Sequence, residues 1–370
     1  MSPPQAPRPD LATLRAVPKV VLHDHLDGAL RPRTIVDLAR ETGYRDLPTN
    51  DSDALAAWFR RPESRGSLRE FLKGFVHTIG VLQTPEAIER VAYEYLEDCA
   101  EEGIAYAECR FAPCFLTQRG LTLEEVARAA LRGFGRAKAK LGVGFGVLLC
   151  GMRDRADTLE TAELAVDLRD QGVVGFDLAG EEAGFPPKRH LEAFQFVQRA
   201  NFSNTIHAGE AFGLESIWQA LQYCGAHRIG HGIRLADDIA VADGRIVKLG
   251  RLAQFVLDKR IPLEVCLTSN ILTGAVPSLE RHPFPLFFRA HFRVTLNPDD
   301  RLMCDTTATK ELDLAVRTYG LTFDDVEKLT INAMKSAFIP YDERCRYIYE
   351  ALKPGFARVR EGARGGRSAG

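Results

Sequence analysis

The chain has 370 residues, 45% of them hydrophobic and 26% charged, and 48 basic residues against 50 acidic ones leave a formal net charge of −2. That composition supplies one large core, and with neither sign gathered into a long run it argues against a nucleic-acid or anionic-membrane partner. No window reaches the roughly eighteen uninterrupted apolar residues of a membrane span, and the eight cysteines lack the spacing of a disulfide framework or a thiolate metal site, so they read as reduced, mostly buried small hydrophobes.

In chain order, residues 1–10 form a proline-rich stretch without the apolar centre of a secretory signal. The expectation is a disordered tail and a cytoplasmic protein. Short apolar or β-branched runs then recur, each followed by a stretch of helical length, and eight of them read as buried parallel strands: 19–22, 104–110, 143–150, 173–178, 204–207, 228–231, 262–266 and 293–297. Eight strands alternating with helices predict a closed (β/α)₈ TIM barrel in a single domain over residues 11–355, followed by a Gly- and Arg-rich disordered tail at 356–370.

The interval between the first and second strands is much longer than the others, so a helical insertion is expected there, near residues 50–100. Within it Leu68, Phe71, Leu72 and Phe75 stand at i, i+3, i+4 and i+7, the spacing of one apolar helix face. Two readings fit: a stripe packed on the barrel, or a lid over its mouth.

The residues able to do chemistry cluster where strands end. His23-Asp24-His25 follows the first strand, and alternate residues of an extended segment point the same way, so both imidazoles can converge on one ion. His207 closes the fifth strand, and Asp299-Asp300 follows the eighth. Three imidazoles and a carboxylate make an N/O set suited to Zn²⁺, with water in the remaining position. His231 closes the sixth strand and reads as either a fourth ligand or a base. Glu210 stands three residues after His207, within reach of a substrate as a proton donor, or as a helix N-terminal carboxylate. Asp177-Leu-Ala-Gly-Glu-Glu182 holds no lysine to bridge two metals, so one ion per chain is expected, and Gly180 lets a ligand approach the backbone.

Six segments together resemble the adenosine deaminase family of the amidohydrolase barrels: Pro18-Lys-Val-Val-Leu-His-Asp-His-Leu-Asp-Gly28, Asp177-Leu-Ala-Gly180, His207-Ala-Gly-Glu210, His227-Arg-Ile-Gly-His-Gly232, Thr268-Ser-Asn270 and Leu296-Asn-Pro-Asp-Asp300. The resemblance spans about residues 19–342. It implies zinc ligands at His23, His25, His207 and Asp299, a base at His231 that deprotonates the bound water, and a proton donor at Glu210 toward purine N1. It also implies that Asp300 meets N7, that the Gly180 amide meets N3, and that Asp27 holds a ribose hydroxyl. The apolar helix with Leu68, Phe71, Leu72 and Phe75 becomes a water-excluding lid over the substrate entrance.

The implied reaction is hydrolytic deamination of adenosine to inosine and ammonia, a purine-salvage step, with 2′-deoxyadenosine as a candidate second substrate. Asp27 in His25-Leu-Asp-Gly28 is the nucleoside-type residue, where adenine deaminases of the family usually carry glutamate. The competing readings are a 5′-modified adenosine, free adenine, a two-metal amidohydrolase, and a catalytically silent purine-binding barrel. Two positions depart from the family pattern. Pro298 stands where many relatives have a small hydroxyl residue and removes a backbone donor beside Asp299, and Arg301 replaces a common proline, adding a cation expected near the mouth.

Overall fold

The computed structural model describes residues 8–61, 65–242 and 244–365, with side chains to 362. Its strands are β1 (Lys19–Val21), β2 (Ile104–Phe111), β3 (Gly144–Met152), β4 (Val173–Ala179), β5 (Thr205–Ala208), β6 (Arg228–His231), β7 (Ile239–Ala242), β8 (Arg245–Leu249), β9 (Leu263–Val265) and β10 (Val294–Leu296). Two parallel four-stranded sheets run β1-β2-β3-β4 and β10-β9-β6-β5. Parallel bridges close them into one barrel, Phe176↔Asn204 joining β4 to β5 and Asp24↔Asp299 joining the ends of β10 and β1. This is the eight-stranded α/β barrel that the alternation predicts.

The pleat explains how one strand serves two environments. In β2, Ala107, Cys109 and Phe111 join the core beneath the helices, while the alternate residues Glu108 and Arg110 are wholly buried in ion pairs inside the barrel. The following helix, Leu123–Leu141, is delimited by local chemistry: Thr122 and Glu125 form a reciprocal N-terminal capping box, and Gly142 takes the left-handed conformation at its C-terminus with φ 76°.

Among the described residues, five helices lie between β1 and β2: Pro32–Thr42, Ser52–Phe59, Leu68–Leu72, Phe75–Val81 and Pro85–Glu101. The apolar stripe expected on one helix is divided between two. The first ends at Leu72, and Gly74, whose amide donates to Phe71 O at 3.1 Å, begins the second. The i, i+3, i+4, i+7 spacing survives because the backbone stays near the helical region through Lys73 and Gly74.

Two further differences from expectation have clear causes. An antiparallel hairpin, β7 with β8, turns at Gly244 (φ 71°) after β6, outside the barrel sheet. The stretch from Phe356, expected to be loose, continues as helix Lys353–Gly365. Phe356 is buried against Phe323 with ring centroids 5.5 Å apart, and Arg360 bonds Asp324 at 2.6 Å and Glu327 at 3.0 Å. Of the expected N-terminal tail, residues 1–7 lie outside the described residues, and Asp10 caps helix Leu11–Ala16. All eight cysteines are free, seven of them buried, and among the described residues no helix is long and apolar enough to cross a membrane.

Candidate active site

The C-terminal ends of the strands converge on one small volume. His23 and His25 stand just beyond β1, His207 within β5, His231 at the end of β6 and Asp299 beyond β10. His25 Nε2 and His207 Nε2 are 3.2 Å apart, and Asp299 Oδ1 lies 3.0 Å from His23 Nε2 and 3.4 Å from His25 Nε2. Donors bound to one ion at about 2.0–2.1 Å and near-tetrahedral angles sit roughly 3.3 Å apart, which these separations match. Asp299 also belongs to a compact group with His23, His207 and His231, and to another with His25 and Asp300.

The opposite edges of two rings are committed. His23 Nδ1 lies 2.8 Å from Glu264 Oε2, and His207 Nδ1 lies 3.1 Å from Asp177 Oδ2, so both rings turn Nε2 inward. His23 Nε2 is buried and has no hydrogen-bond partner of proper geometry. Burial holds His25 and His231 well below the usual imidazole range, the neutral state that metal ligation requires. Burial opposes ionisation of Asp299, yet His23, whose own pKa is raised by Asp299 and Glu264 against its burial, keeps that carboxyl well below the usual range. The expected donors His23, His25, His207 and Asp299 therefore meet around a position fit for a divalent ion.

His231 stands 3.6 Å from Glu210 Oε2 and 3.9 Å from Asp299 Oδ2 through Nε2. Its other nitrogen ends a chain of hydrogen bonds that starts at an unambiguous donor. The Phe284 amide donates to His282 Nδ1 at 3.0 Å, so His282 carries its proton on Nε2, 3.2 Å from Asn270 Oδ1. That fixes the Asn270 amide with Nδ2 toward His231 Nδ1 at 3.1 Å. His231 Nδ1 is thus an acceptor, and the neutral ring bears its proton on Nε2, facing the site. Both His231 (φ 60°) and Asp299 (φ 65°) hold left-handed backbones, a conformation side chains with a Cβ adopt at a cost.

Glu210 accepts from Thr273 Oγ1 at 3.0 Å. Burial, reinforced by Asp299 and Glu182, pushes its carboxyl up to about 8. The loop carrying it is pinned by Glu182, whose Oε1 accepts from the Gly209 amide at 2.6 Å and whose Oε2 accepts from the amides of Glu210, Ala211 and Phe212 at 3.0, 2.7 and 2.9 Å.

His25, His207, Glu210, His231, Thr273 and Asp299 line a cavity of about 480 Å³ together with Asp27, Gly180, Asp300 and the apolar-stripe residues Leu68, Phe71, Leu72 and Phe75. Asp27 Oδ1 and Asp300 Oδ1 are buried without partners. Burial pushes the Asp27 carboxyl up to about 7. Gly28 is required beside Asp300, because a Cβ there would come within 2.0 Å of Asp300 Oδ1. Gly180 has φ 101°, and a Cβ on it would meet Met152 Cε at 3.0 Å.

Arg301 is not at the mouth. It is buried beside the Asp24 carboxylate, 2.5 Å from Nη2 and 2.6 Å from Nε, and stacks over Tyr95 with Cζ 4.6 Å from the ring centre. Asp24, lying between two histidines that approach Asp299, points the other way and takes a counter-ion there. Pro298 leaves the strand junction intact, since the Asp299 amide still donates to His23 O at 3.1 Å. Sequence reasoning assigned no role to Glu264, Glu182, Asn270, His282 or Thr273. Glu264 had a readable signal, as the lone charge within the apolar strand Leu263–Val265.

The model of the adenosine deaminase family matches residues 18–353. Adenosine deaminase 1 of Streptomyces coelicolor is 55% identical over 361 residues, 96% of this chain and 91% of the relative. Among solved structures, an adenine deaminase from Arthrobacter aurescens superposes with a TM-score of 0.79 at 25% identity, over 93% of this chain and 99% of that one. A zinc-bound amidohydrolase from Burkholderia ambifaria gives a TM-score of 0.82 over 95% of this chain and 94% of its own, and at 24% identity it establishes a shared fold.

Proposed function

The chain belongs to the adenosine deaminase family, and we infer from that membership and from the site that it is a zinc-dependent hydrolase converting adenosine and water to inosine and ammonia. The observation that carries the reading is the 3.2 Å approach of His25 Nε2 to His207 Nε2 beside Asp299. With Nδ1 of His207 committed to the Asp177 carboxylate, its Nε2 turns a lone pair toward the point that His25 and Asp299 also approach, an arrangement suited to a divalent cation, and the adjoining cavity is of a size for one nucleoside.

When bound, a zinc ion held by His23, His25, His207 and Asp299 supplies a water acidic enough to react near neutral pH. Glu210 protonates purine N1, which makes C6 electrophilic. His231, with its proton on Nε2, orients the attacking water by donating toward it or toward the carboxylates beside it. Asp300 bonds N7, the Gly180 amide meets N3, and Asp27 holds a ribose hydroxyl. The lid residues Leu68, Phe71, Leu72 and Phe75 exclude bulk water, so the fixed charges of the site act in a low dielectric as ammonia leaves C6.

Metal analysis together with a substrate panel followed by loss of the adenine ultraviolet band tests the reading. We expect one zinc per chain and adenosine turned over faster than free adenine or 5′-modified adenosines. Faster turnover of adenine would reassign the substrate, and ammonia release from no 6-aminopurine by the zinc-loaded chain would make it a binding protein.

A further inference from the structure

At the N-terminal face of the barrel, opposite the catalytic mouth, a second cavity of about 630 Å³ opens among Val173 at the start of β4, Arg228 at the start of β6, Pro262 just before β9 and the segment after helix Phe323–Ser336. Its lining carries seven cationic side chains and one carboxylate, Asp170, in a chain whose net charge is −2. One cation is neutralised: Arg228 pairs with Glu108 at 2.7 Å and Glu264 at 2.5 Å. The other six form no ion pair among the described residues.

Capping of helix ends accounts for part of this charge. Arg169 donates to Ala200 O at 2.8 Å, Arg344 to Lys335 O at 2.9 Å, and Arg260 to His291 O. Each of those carbonyls lies at or just past the end of a helix. Capping does not account for Lys259, Lys335 or Arg293. Arg293 is half-buried, its Nε is shielded from solvent without a partner, and burial together with the nearby Arg260 and Arg344 disfavours its charge. Cations held close together at such a cost are relieved by an anion, and a guanidinium fork matches phosphate oxygens in geometry.

We propose that this cavity is a binding site for a phosphate-bearing small molecule, separate from the deamination site. Its concavity and volume fit a small ligand better than a duplex or a bilayer surface. The charge is supplied by Arg293, Lys259 and Lys335, with the capped arginines contributing their remaining N–H groups.

Calorimetric titration of the zinc-loaded full chain with inorganic phosphate and, separately, with guanosine triphosphate tests this directly. The 6-oxo group of the guanine leaves no amino group at C6 for the deamination site to remove. We expect one ligand per chain, binding that weakens as sodium chloride rises, and at least about a tenfold loss of affinity in Arg293→Gln and in Lys259→Glu, with kcat on adenosine unchanged. Lys259 is exposed, so its variant remains informative if Arg293→Gln folds poorly. Saturation by phosphate alone identifies a bare phosphate ligand, whereas saturation by the nucleotide alone identifies a larger phosphorylated one. Absence of saturable binding to both probes, or equal binding by wild type and variants, would leave helix capping as the sole role of these cations.

Discussion

Glu264 accepts from His23 Nδ1 at 2.8 Å at the centre of the barrel, and the same carboxylate is held by Arg110 at 2.8 Å, Arg228 at 2.5 Å and the Thr205 hydroxyl at 3.0 Å. Burial alone would raise its pKa, but Arg110 and Arg228 keep it well below the usual range. Glu264 is therefore a fixed anion that orients the His23 imidazole, a proposed zinc ligand. Replacing it by glutamine leaves a similar shape but removes the charge and half the acceptor capacity. Glu264→Gln is expected to weaken zinc binding by about 10–100-fold, the usual scale for loss of such a supporting partner. Competition with a calibrated chelator measures it, and unchanged affinity would make Glu264 a purely structural counter-ion.

The relay from Phe284 through His282 and Asn270 to His231 leads to an opposed prediction for a single-atom change. Aspartate at 270 can only accept, so Asn270→Asp calls for a proton on His231 Nδ1 and leaves a bare Nε2 facing the site. If His231 works as a hydrogen-bond donor, kcat falls at least about tenfold while zinc content holds, since a wrong tautomer is costly even in intact geometry. Retained or raised kcat would show that His231 is a base at Nε2.

Glu210→Gln preserves the acceptor for Thr273 and the size of the side chain. It removes a proton donor that burial favours in the protonated state, with the carboxyl pushed up to about 8. Zinc should remain bound and kcat should fall by at least about a hundredfold, the scale of general acid catalysis. Unchanged turnover would move the donor role elsewhere in the cavity.

What the sequence made readable follows from how local each signal is. The histidines and the aspartate pair stood at the ends of apolar runs, and strand ends of a barrel share one mouth, so their meeting was readable without coordinates. Leu68, Phe71, Leu72 and Phe75 all reach the cavity although their helix is broken, because side-chain spacing outlasts one irregular turn. Partners such as Glu264 for His23, 241 residues apart, depend on which interior faces oppose one another once the barrel closes. Arg301 was misplaced for the same reason: the alternation that turned His23 and His25 inward also turned Asp24 outward, and the cation followed it.

The ribose contact proposed for Asp27 predicts a difference between nucleoside and free base. Its Oδ1 is buried, lines the cavity and lacks a protein partner, so a substrate hydroxyl is the group expected to satisfy it. A hydrogen bond to this carboxyl contributes about 0.5–3 kcal/mol depending on its ionisation, hence Asp27→Ala should raise KM for adenosine several-fold and leave free adenine almost unaffected. An equal effect on both substrates would remove ribose recognition from its role.

Glu182 holds the loop that presents Glu210, and its four backbone donors approach both carboxylate oxygens. A glutamine has one acceptor oxygen, and whichever way the amide turns, its NH₂ faces at least one N–H of this loop. The favoured orientation keeps the oxygen toward Glu210, Ala211 and Phe212 and sets the NH₂ against Gly209, leaving a buried donor unsatisfied at about 1–3 kcal/mol. The loop relieves that contact by moving, and a displacement of Glu210 falls on the chemical step more than on zinc, whose proposed ligands His23, His25 and Asp299 lie outside this loop. Glu182→Gln should therefore lower kcat at least about tenfold with zinc content retained. A lowered melting temperature with unchanged kcat would instead confine Glu182 to stability.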